Sequence, residues 1–229
     1  MCLLYVFILL IITIIIISLI LLYMKTNNKI GGGIEFEKRY YGFDYNETKQ
    51  KILADGFKNT GNYLFTVTKF DSRETNKTIR IRDEGHRITF TIKLSGGQFD
   101  EEHEVNVSDY HEMIKMIELL GYKEQYTMQK YREIFQKDNT EIIFDHFPGC
   151  NPYIEIESLS EQLVDEYAQK FNLTENKNVG LKMLWKDQGI IGSDKSFTFK
   201  SLLDNNDICN DDKFKQKIIE QIKILDIKI

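Results

Sequence analysis

Apolar and polar positions alternate in short stretches along most of the chain after an uninterrupted apolar start. Alternation with a period of two is typical of strands that bury one face. It predicts strands over residues 34–41, 63–70, 78–83, 87–94, 101–107, 127–135, 140–147 and 152–158. Apolar positions at helical spacing predict helices over residues 46–56, 109–120 and 160–171. Asp44, Ser108 and Ser160 are the expected helix caps. We therefore predict an α+β fold with an antiparallel barrel or a strongly curved sheet and helices packed outside.

The N-terminal segment is apolar from residue 3 to residue 24, interrupted only by Thr13 and Ser18. About 20 apolar residues suffice to span a bilayer core. The segment lacks the basic start and the small-residue cleavage site of a signal peptide. We expect one transmembrane helix within residues 1–24, contact with the membrane through residues 3–24, and a linker over residues 25–33. Lysine and arginine residues after the span place the remainder in the cytoplasm, as a single-pass membrane protein.

The rest of the chain is expected to form one domain. Residues 34–175 hold the predicted strands and the helices between and after them, and residues 176–229 form a helical extension of the same domain, with helices near 178–188 and 211–225. The chain has 229 residues, a formal net charge of -5 and a sequence pI of about 5.5. This charge argues against double-stranded nucleic acid as a partner, because phosphate backbones select basic proteins. The composition does not indicate an oligomeric state.

Cysteine and histidine give no metal motif. Cys2, Cys150 and Cys209 form neither a disulfide framework nor a zinc pair. The four histidines are scattered along the chain. His146 directly follows Asp145, so we expect it on the opposite face of its strand.

Charged side chains recur two residues apart, on one face of nearly every predicted strand. Glu35, Glu37 and Arg39 share a face. Each strand alone is compatible with a solvated face. However, the strands divide into acidic and basic groups, with repeats such as "RIR", "EHE" and "EIE". This division predicts an eight-stranded antiparallel closed β-barrel with a charged interior.

Such an interior requires compensating partners, because buried charge is costly unless it is paired or bound. Arginine and lysine pairs suit a polyphosphate. Carboxylate pairs suit Mg²⁺ or Mn²⁺, which prefer oxygen ligands and substrate phosphates. The predicted chemistry is metal-assisted attack on a phosphoryl group.

The order of these motifs over residues 34–158 resembles the CYTH family, the triphosphate tunnel metalloenzymes. This family includes class IV adenylyl cyclases, thiamine triphosphatases, inorganic tripolyphosphatases and RNA 5'-triphosphatases. The opening "EFEKR" resembles the family's Glu-x-Glu-x-Lys, with Arg39 in place of the lysine. The later motifs are "IRIRD", "ITFTIK", "EEHEVNV", "MQKYREIF" and "IIFDHFPGCNPYIEIE".

The resemblance implies roles for individual residues. The implied metal ligands are Glu35, Glu37, Glu155, Glu157 and Asp145. The implied substrate-binding residues are Arg39, Arg80, Arg82, Lys93, Lys130 and Arg132, with Lys69 as a further candidate. The implied catalytic residues are Lys93, Lys130, Glu102, Glu104 and Asp145. Because arginine stays protonated, Arg39 cannot act as a base. Lys93 or Lys130 with a lowered pKa, or a metal-bound water, would take that role.

Three functions follow from this reading. The first is hydrolysis of a triphosphate-bearing small molecule or RNA 5' end with Mg²⁺ or Mn²⁺. The second is class IV-type adenylyl cyclase activity, which makes cyclic AMP from ATP. The third is a membrane-tethered, non-catalytic binder of polyphosphate or nucleotide.

Overall fold

The computed structural model describes residues 36–72, 75–95, 101–175, 197–204, 206, 209 and 211–228. The strands are β1 Phe36–Tyr40, β2 Lys58–Asp71, β3 Lys77–Asp83, β4 Ile88–Leu94, β5 Glu101–Val107, β6 Lys123–Lys137, β7 Thr140–His146 and β8 Tyr153–Ser158. The helices are α1 Tyr45–Ala54, α2 Tyr110–Leu119, α3 Glu161–Lys170, α4 Phe199–Asp204 and α5 Asp212–Leu225. The helix predicted near 178–188 lies outside the described residues.

The eight strands form one antiparallel sheet in the order β1-β8-β7-β6-β2-β3-β4-β5. The long strands β2 and β6 pair along most of their length and form the centre of the sheet. Both are longer than predicted. Their extra residues lie at the ends, where polar side chains break the apolar alternation.

The prediction of eight antiparallel strands is confirmed, but the prediction of a closed barrel is wrong. Closure would require β1 to pair with β5, and the described residues show no such pairing. Residues 101–106 of β5 are exposed, as expected for an edge strand. Alternation fixes the face of each side chain, but it does not determine whether the first and last strands meet.

The structure also corrects the predicted transmembrane helix and single-pass membrane localisation. No helix among the described residues is both long and apolar enough to cross a bilayer. The predicted span, residues 3–24, lies outside the described part of the chain.

Side-chain caps begin the helices that cover the sheet. Asp44 accepts a hydrogen bond from the first turn of α1, and Ser160 does the same for α3. The cap of α2 is Asp109 rather than the predicted Ser108. Each cap satisfies a backbone N–H that has no partner within its own helix.

One face of the sheet is apolar and is covered by these three helices. Ile52 of α1 and Val164 of α3 are fully buried in a cluster with side chains of β1, β6, β7 and β8. Ile117 of α2 packs against Ile79 and Ile81 of β3. The opposite face therefore carries the charged side chains.

The last two helices belong to a third apolar cluster, at one end of the sheet. Phe197 donates its N–H to the carbonyl of Thr127 and accepts from the N–H of Gln129, at 2.6 and 3.1 Å. These bonds extend the sheet along the part of β6 that reaches beyond β7. Phe214 of α5 packs so closely on Gly149 that a Cβ at this glycine would lie 2.3 Å from the phenylalanine ring. The C-terminal helices are therefore packed as part of the sheet domain.

Candidate active site

Strand register places the predicted charged side chains on a single face of the sheet, called the charged face below. Directly opposed residues of antiparallel strands share a face. Arg39 lies opposite Glu155, and Asp145 lies opposite Arg132. The described members are Glu37, Arg39, Lys69, Arg80, Arg82, Lys93, Glu102, Glu104, Lys130, Arg132, Asp145, Glu155 and Glu157. Glu35 lies outside the described residues.

Asp145 is the centre of a buried network on the charged face. Arg132 donates to both of its carboxylate oxygens, from Nε at 2.7 Å and from Nη2 at 2.6 Å. Lys130 Nζ donates at 2.6 Å and the hydroxyl of Tyr153 at 2.8 Å. Burial opposes ionisation of Asp145, but Lys130 and Arg132 outweigh it and lower its pKa. Asp145 therefore remains a carboxylate that anchors two cations.

Glu155 connects this network to the strand at the other side of β8. Arg132 Nη2 donates to it at 2.6 Å, and Arg39 Nε donates at 2.7 Å. Nη2 of Arg39 lies 2.7 Å from Glu37. The arginine fork thus bridges two of the predicted metal ligands. A lysine would have to contact both carboxylates from one nitrogen, without the two separate nitrogen donors that the guanidinium uses here.

Three carboxylates form a row across β1, β8 and β7. Glu37 lies directly opposite Glu157, and Glu157 lies directly opposite Glu141. Opposed side chains have Cβ atoms about 5 Å apart, and like charges there repel. Burial and the neighbouring carboxylates Glu155 and Glu37 raise the pKa of Glu157 to about 7. Burial and Glu155 likewise raise the pKa of Glu37.

Sequence reasoning missed Glu141 in this row. The residue that follows it on the same face is Ile143, so β7 shows no acidic pair. Only the strand register reveals that it faces Glu157.

Three cations converge on the ring of Phe65 in β2. The charged groups of Arg82, Lys130 and Arg132 lie 5.8, 5.7 and 5.3 Å from the ring centroid. Burial and the neighbouring Arg132 lower the pKa of Lys130, against the attraction of Asp145. Sequence reasoning did not select Phe65, because an apolar residue in an alternating strand gives no charge signal.

The remaining predicted residues lie toward the β5 edge. Nη2 of Arg80 donates to Glu102 at 2.9 Å, and Lys93 Nζ lies 4.0 Å from the same carboxylate. Nη2 of Arg82 donates to Glu104 at 3.1 Å. Glu102 and Glu104 therefore pair with the basic strands and not with the carboxylate row. Lys69 lies opposite Arg80 on the charged face.

Comparison with known proteins identifies the family of this arrangement. The CYTH domain profile matches residues 35–189, more than half of the chain. The chain belongs to the CYTH family. This confirms the resemblance drawn from the motifs.

Relatives of this CYTH chain include proteins named as cyclases. A Methanocaldococcus jannaschii protein named "Putative adenylate cyclase" is 31% identical over 141 residues, which cover 54% of this chain and 76% of that protein. A Pyrococcus horikoshii structure has a TM-score of 0.58 at 19% identity and covers 66% of this chain and 99% of its own. A Vibrio parahaemolyticus structure described as "a putative adenylate cyclase" has a TM-score of 0.56 at 18% identity, with coverage of 67% and 99%. At these identities the two structures show a shared fold.

CYTH membership fixes the general chemistry. Members of the family are triphosphatases or adenylyl cyclases, they bind triphosphate substrates, and the enzymes are metal dependent. Carboxylate oxygens are the ligands that a hard divalent cation prefers, and such an ion would offset the repulsion that raises the pKa values of Glu37 and Glu157. Within the described ranges, no group of three or more Asp, Glu, His or Cys side chains is placed to hold a metal ion, and Glu35 of the implied ligand set lies outside those ranges.

Proposed function

We propose that this CYTH protein hydrolyses a triphosphate-containing substrate with Mg²⁺ or Mn²⁺. The observation that supports this is the separation of like charges on the charged face. The carboxylates of Glu37, Glu141 and Glu157 lie side by side on neighbouring strands, and the cations of Arg82, Lys130 and Arg132 converge on Phe65. A divalent cation and a chain of phosphates are the ligands that compensate both groups at once.

In this proposal, the basic side chains bind the phosphate groups. Arg82, Lys130 and Arg132 neutralise phosphate oxygens, and Arg80 and Lys93 extend the cationic surface. Lys69 and Arg39 flank it. Nε of Arg80 is buried and has no hydrogen-bond partner among the described residues, so this donor is unsatisfied in the present arrangement. Glu102 and Glu104 orient Arg80 and Arg82 through their ion pairs.

The carboxylate row would hold the divalent cation. Glu37 and Glu157 are the principal ligands, with Glu35 as the third ligand implied by the family motif. Glu155 and Asp145 connect the row to the cations through Arg39 and Arg132. The bound cation supplies electrostatic activation of the phosphoryl group.

Lys130 is the candidate for proton transfer. Burial and Arg132 lower the pKa of its amine, which is the direction that favours exchange of a proton, whereas Arg39 remains charged. Asp145 keeps the lysine amine within 2.6 Å of one carboxylate oxygen and so fixes its position.

The test is phosphate release from a substrate panel under Mg²⁺ and Mn²⁺. The panel contains tripolyphosphate, ATP, thiamine triphosphate and RNA with a 5'-triphosphate. Glu157→Gln should lower the rate on the best substrate by about 10²-fold or more, because it removes a charged metal ligand. Glu166→Gln on α3 makes the same chemical change on an exposed surface and should leave the rate unchanged.

Two outcomes would contradict the proposal. Near-normal turnover by Glu157→Gln would remove the metal role of the carboxylate row. Tight tripolyphosphate binding without turnover of any substrate would instead favour a non-catalytic binder.

A cyclase is the second candidate, favoured by the relative from Methanocaldococcus jannaschii that is named "Putative adenylate cyclase". The same charged face would then bind ATP, and the ribose 3'-hydroxyl would replace water as the nucleophile. Incubation of the protein with ATP and Mn²⁺ distinguishes the two reactions. Cyclic AMP with pyrophosphate indicates a cyclase, and ADP with phosphate indicates a hydrolase.

A further inference from the structure

Phe65 occupies a position on the charged face where charged or polar side chains would be expected. It lies opposite Lys130, and its neighbours on the same face of β2 are Tyr63 and Val67. The side chain is buried, with 3% of the residue exposed. The other core phenylalanine of this strand, Phe70, packs on the apolar face under α2.

The ring has three cations within the distance at which cation–π attraction is significant. This distance is about 6 Å from the ring centroid, and the cations of Arg82, Lys130 and Arg132 all satisfy it. They come from two different strands, β3 and β6, which lie on either side of β2. Phe65 is thus the contact that the three cations have in common.

The cations repel one another, and their ion pairs draw them in different directions. Arg82 is paired with Glu84 and Glu104, toward the β5 edge. Lys130 and Arg132 are paired with Asp145, on the side of β7. The negative face of an aromatic ring offsets part of this repulsion.

An aromatic ring also differs from a carboxylate in its effect on ligand binding. A carboxylate at this position would neutralise one cation and compete with phosphate. The ring contacts all three cations without adding to the carboxylates that already pair with them. It therefore does not further reduce the positive charge that an anion would meet.

We propose that Phe65 is a positioning residue that keeps Arg82, Lys130 and Arg132 converged for phosphate binding. The inference rests on the proposed function, because it assigns Phe65 a role in binding the phosphates of that substrate. It acts through the three cations and makes no contact with the reacting atoms.

The experiment compares Phe65→Leu, Phe65→Tyr and Phe70→Leu in the full chain. Leucine keeps an apolar side chain but removes the ring, and tyrosine restores a ring. Phe70→Leu is the matched control. Phe70 is also buried in β2, and this variant makes the same substitution on the opposite face of the sheet. Calorimetry with tripolyphosphate in EDTA measures binding without metal or turnover, and urea unfolding measures stability.

Phe65→Leu should weaken tripolyphosphate binding by roughly tenfold. Phe65→Tyr should bind within about threefold of the wild-type protein, and Phe70→Leu should bind normally while losing a comparable amount of stability. In steady-state hydrolysis assays, Phe65→Leu should chiefly raise KM and should change kcat less.

Two results would overturn the inference. One is unchanged affinity in Phe65→Leu. The other is an equal loss of affinity in Phe65→Leu and Phe70→Leu, since that would indicate general destabilisation. Failure of the wild-type protein to bind or hydrolyse any triphosphate would instead contradict the proposed function, so the two failures can be distinguished.

Discussion

Two buried charged groups lie on opposite faces of β6 and β7, and they differ in how their charges are balanced. On the helix-covered face, Glu133 accepts a hydrogen bond from the Tyr45 hydroxyl at 2.6 Å and contacts Lys49 Nζ. His146 Nε2 lies 2.9 Å from the same carboxylate. The Glu133 carboxylate is thus paired with one ammonium group and with the polar atoms of two ring side chains. Burial opposes the charge of Glu133, but these partners lower its pKa to about 2.

The charged face uses the preceding residues of the same strands and reaches no such balance. Arg132 and Asp145 form a good bidentate pair. Around them, however, three cations share one ring and three carboxylates share one row. Buried charge is therefore common to both faces, and groups of adjacent like charges distinguish the charged face. A balanced group stabilises the fold, whereas adjacent like charges repel and favour binding of a ligand of opposite charge.

The largest expected effect comes from breaking the balanced group with Glu133→Gln. This change leaves Lys49 partly buried without its carboxylate, and disrupting such a pair costs about 3–5 kcal/mol. Urea unfolding at pH 7 measures the loss. The folded pKa lies below the ordinary value of 4.5, so this stability is present above pH 4.5 and is lost as the pH falls toward 2.

Affinity for tripolyphosphate should hardly change in Glu133→Gln, because the carboxylate faces away from the charged face. A mutant as stable as the wild-type protein at pH 7 would show that the network does not stabilise the fold.

Removing a cation from the charged face should have a smaller effect, and the effect should be on ligand affinity. Arg82→Ala should weaken tripolyphosphate binding roughly tenfold to a hundredfold, the contribution of about one hydrogen bond to a charged group. Calorimetry in EDTA measures this. Lys38→Ala is the matched control, because Lys38 has similar exposure and also pairs with two carboxylates, at Glu161 and Asp165.

The control lies on the helix-covered side and changes the net charge equally. If Lys38→Ala weakened binding as much as Arg82→Ala, the effect would reflect overall charge and not a specific site.

The carboxylate row can be tested through stability in the absence of metal. The pKa of Glu157 is raised to about 7, so the folded state holds a proton that the unfolded chain releases near pH 4.5. Stability should therefore fall as the pH rises from 4.5 to 7, by an amount on the order of 1–3 kcal/mol. Glu157→Gln should remove this slope.

The mutant should thus be more stable than the wild-type protein at pH 8 in EDTA, with little difference at pH 4. Urea unfolding at both pH values provides the comparison. A Glu157→Gln protein that is less stable at pH 8 would show that the row carries no excess charge.

Much of this arrangement was predictable from the chain because a strand has a period of two. The pairs Arg80 and Arg82, and Glu155 and Glu157, were assigned to one face from their spacing, and the register agrees. The same arithmetic placed His146 away from Asp145, and it lies on the helix-covered face. These predictions needed only local geometry.

Features that depend on contacts between strands were not predictable in this way. Glu141 becomes part of the carboxylate row only through its register with Glu157. Phe65 gains its importance from cations on two neighbouring strands. The failure of the sheet to close among the described residues depends on its two outermost strands, far apart in sequence. The alternation of apolar and polar residues within one strand contains no information on which residues of other strands lie beside it.

The smallest effect is expected at Arg39, where the family motif has a lysine. Its side chain is half exposed and donates to Glu155 while contacting Glu37. Arg39→Lys keeps the charge but loses one of the two contacts, so the cost in stability should stay below about 1 kcal/mol. The hydrolysis rate should change by less than about threefold, because we assign proton transfer to Lys130. Rate measurements from pH 6 to 10 and urea unfolding test both expectations. A rate increase above tenfold, with a new pH dependence, would show that a lysine at this position accepts the proton.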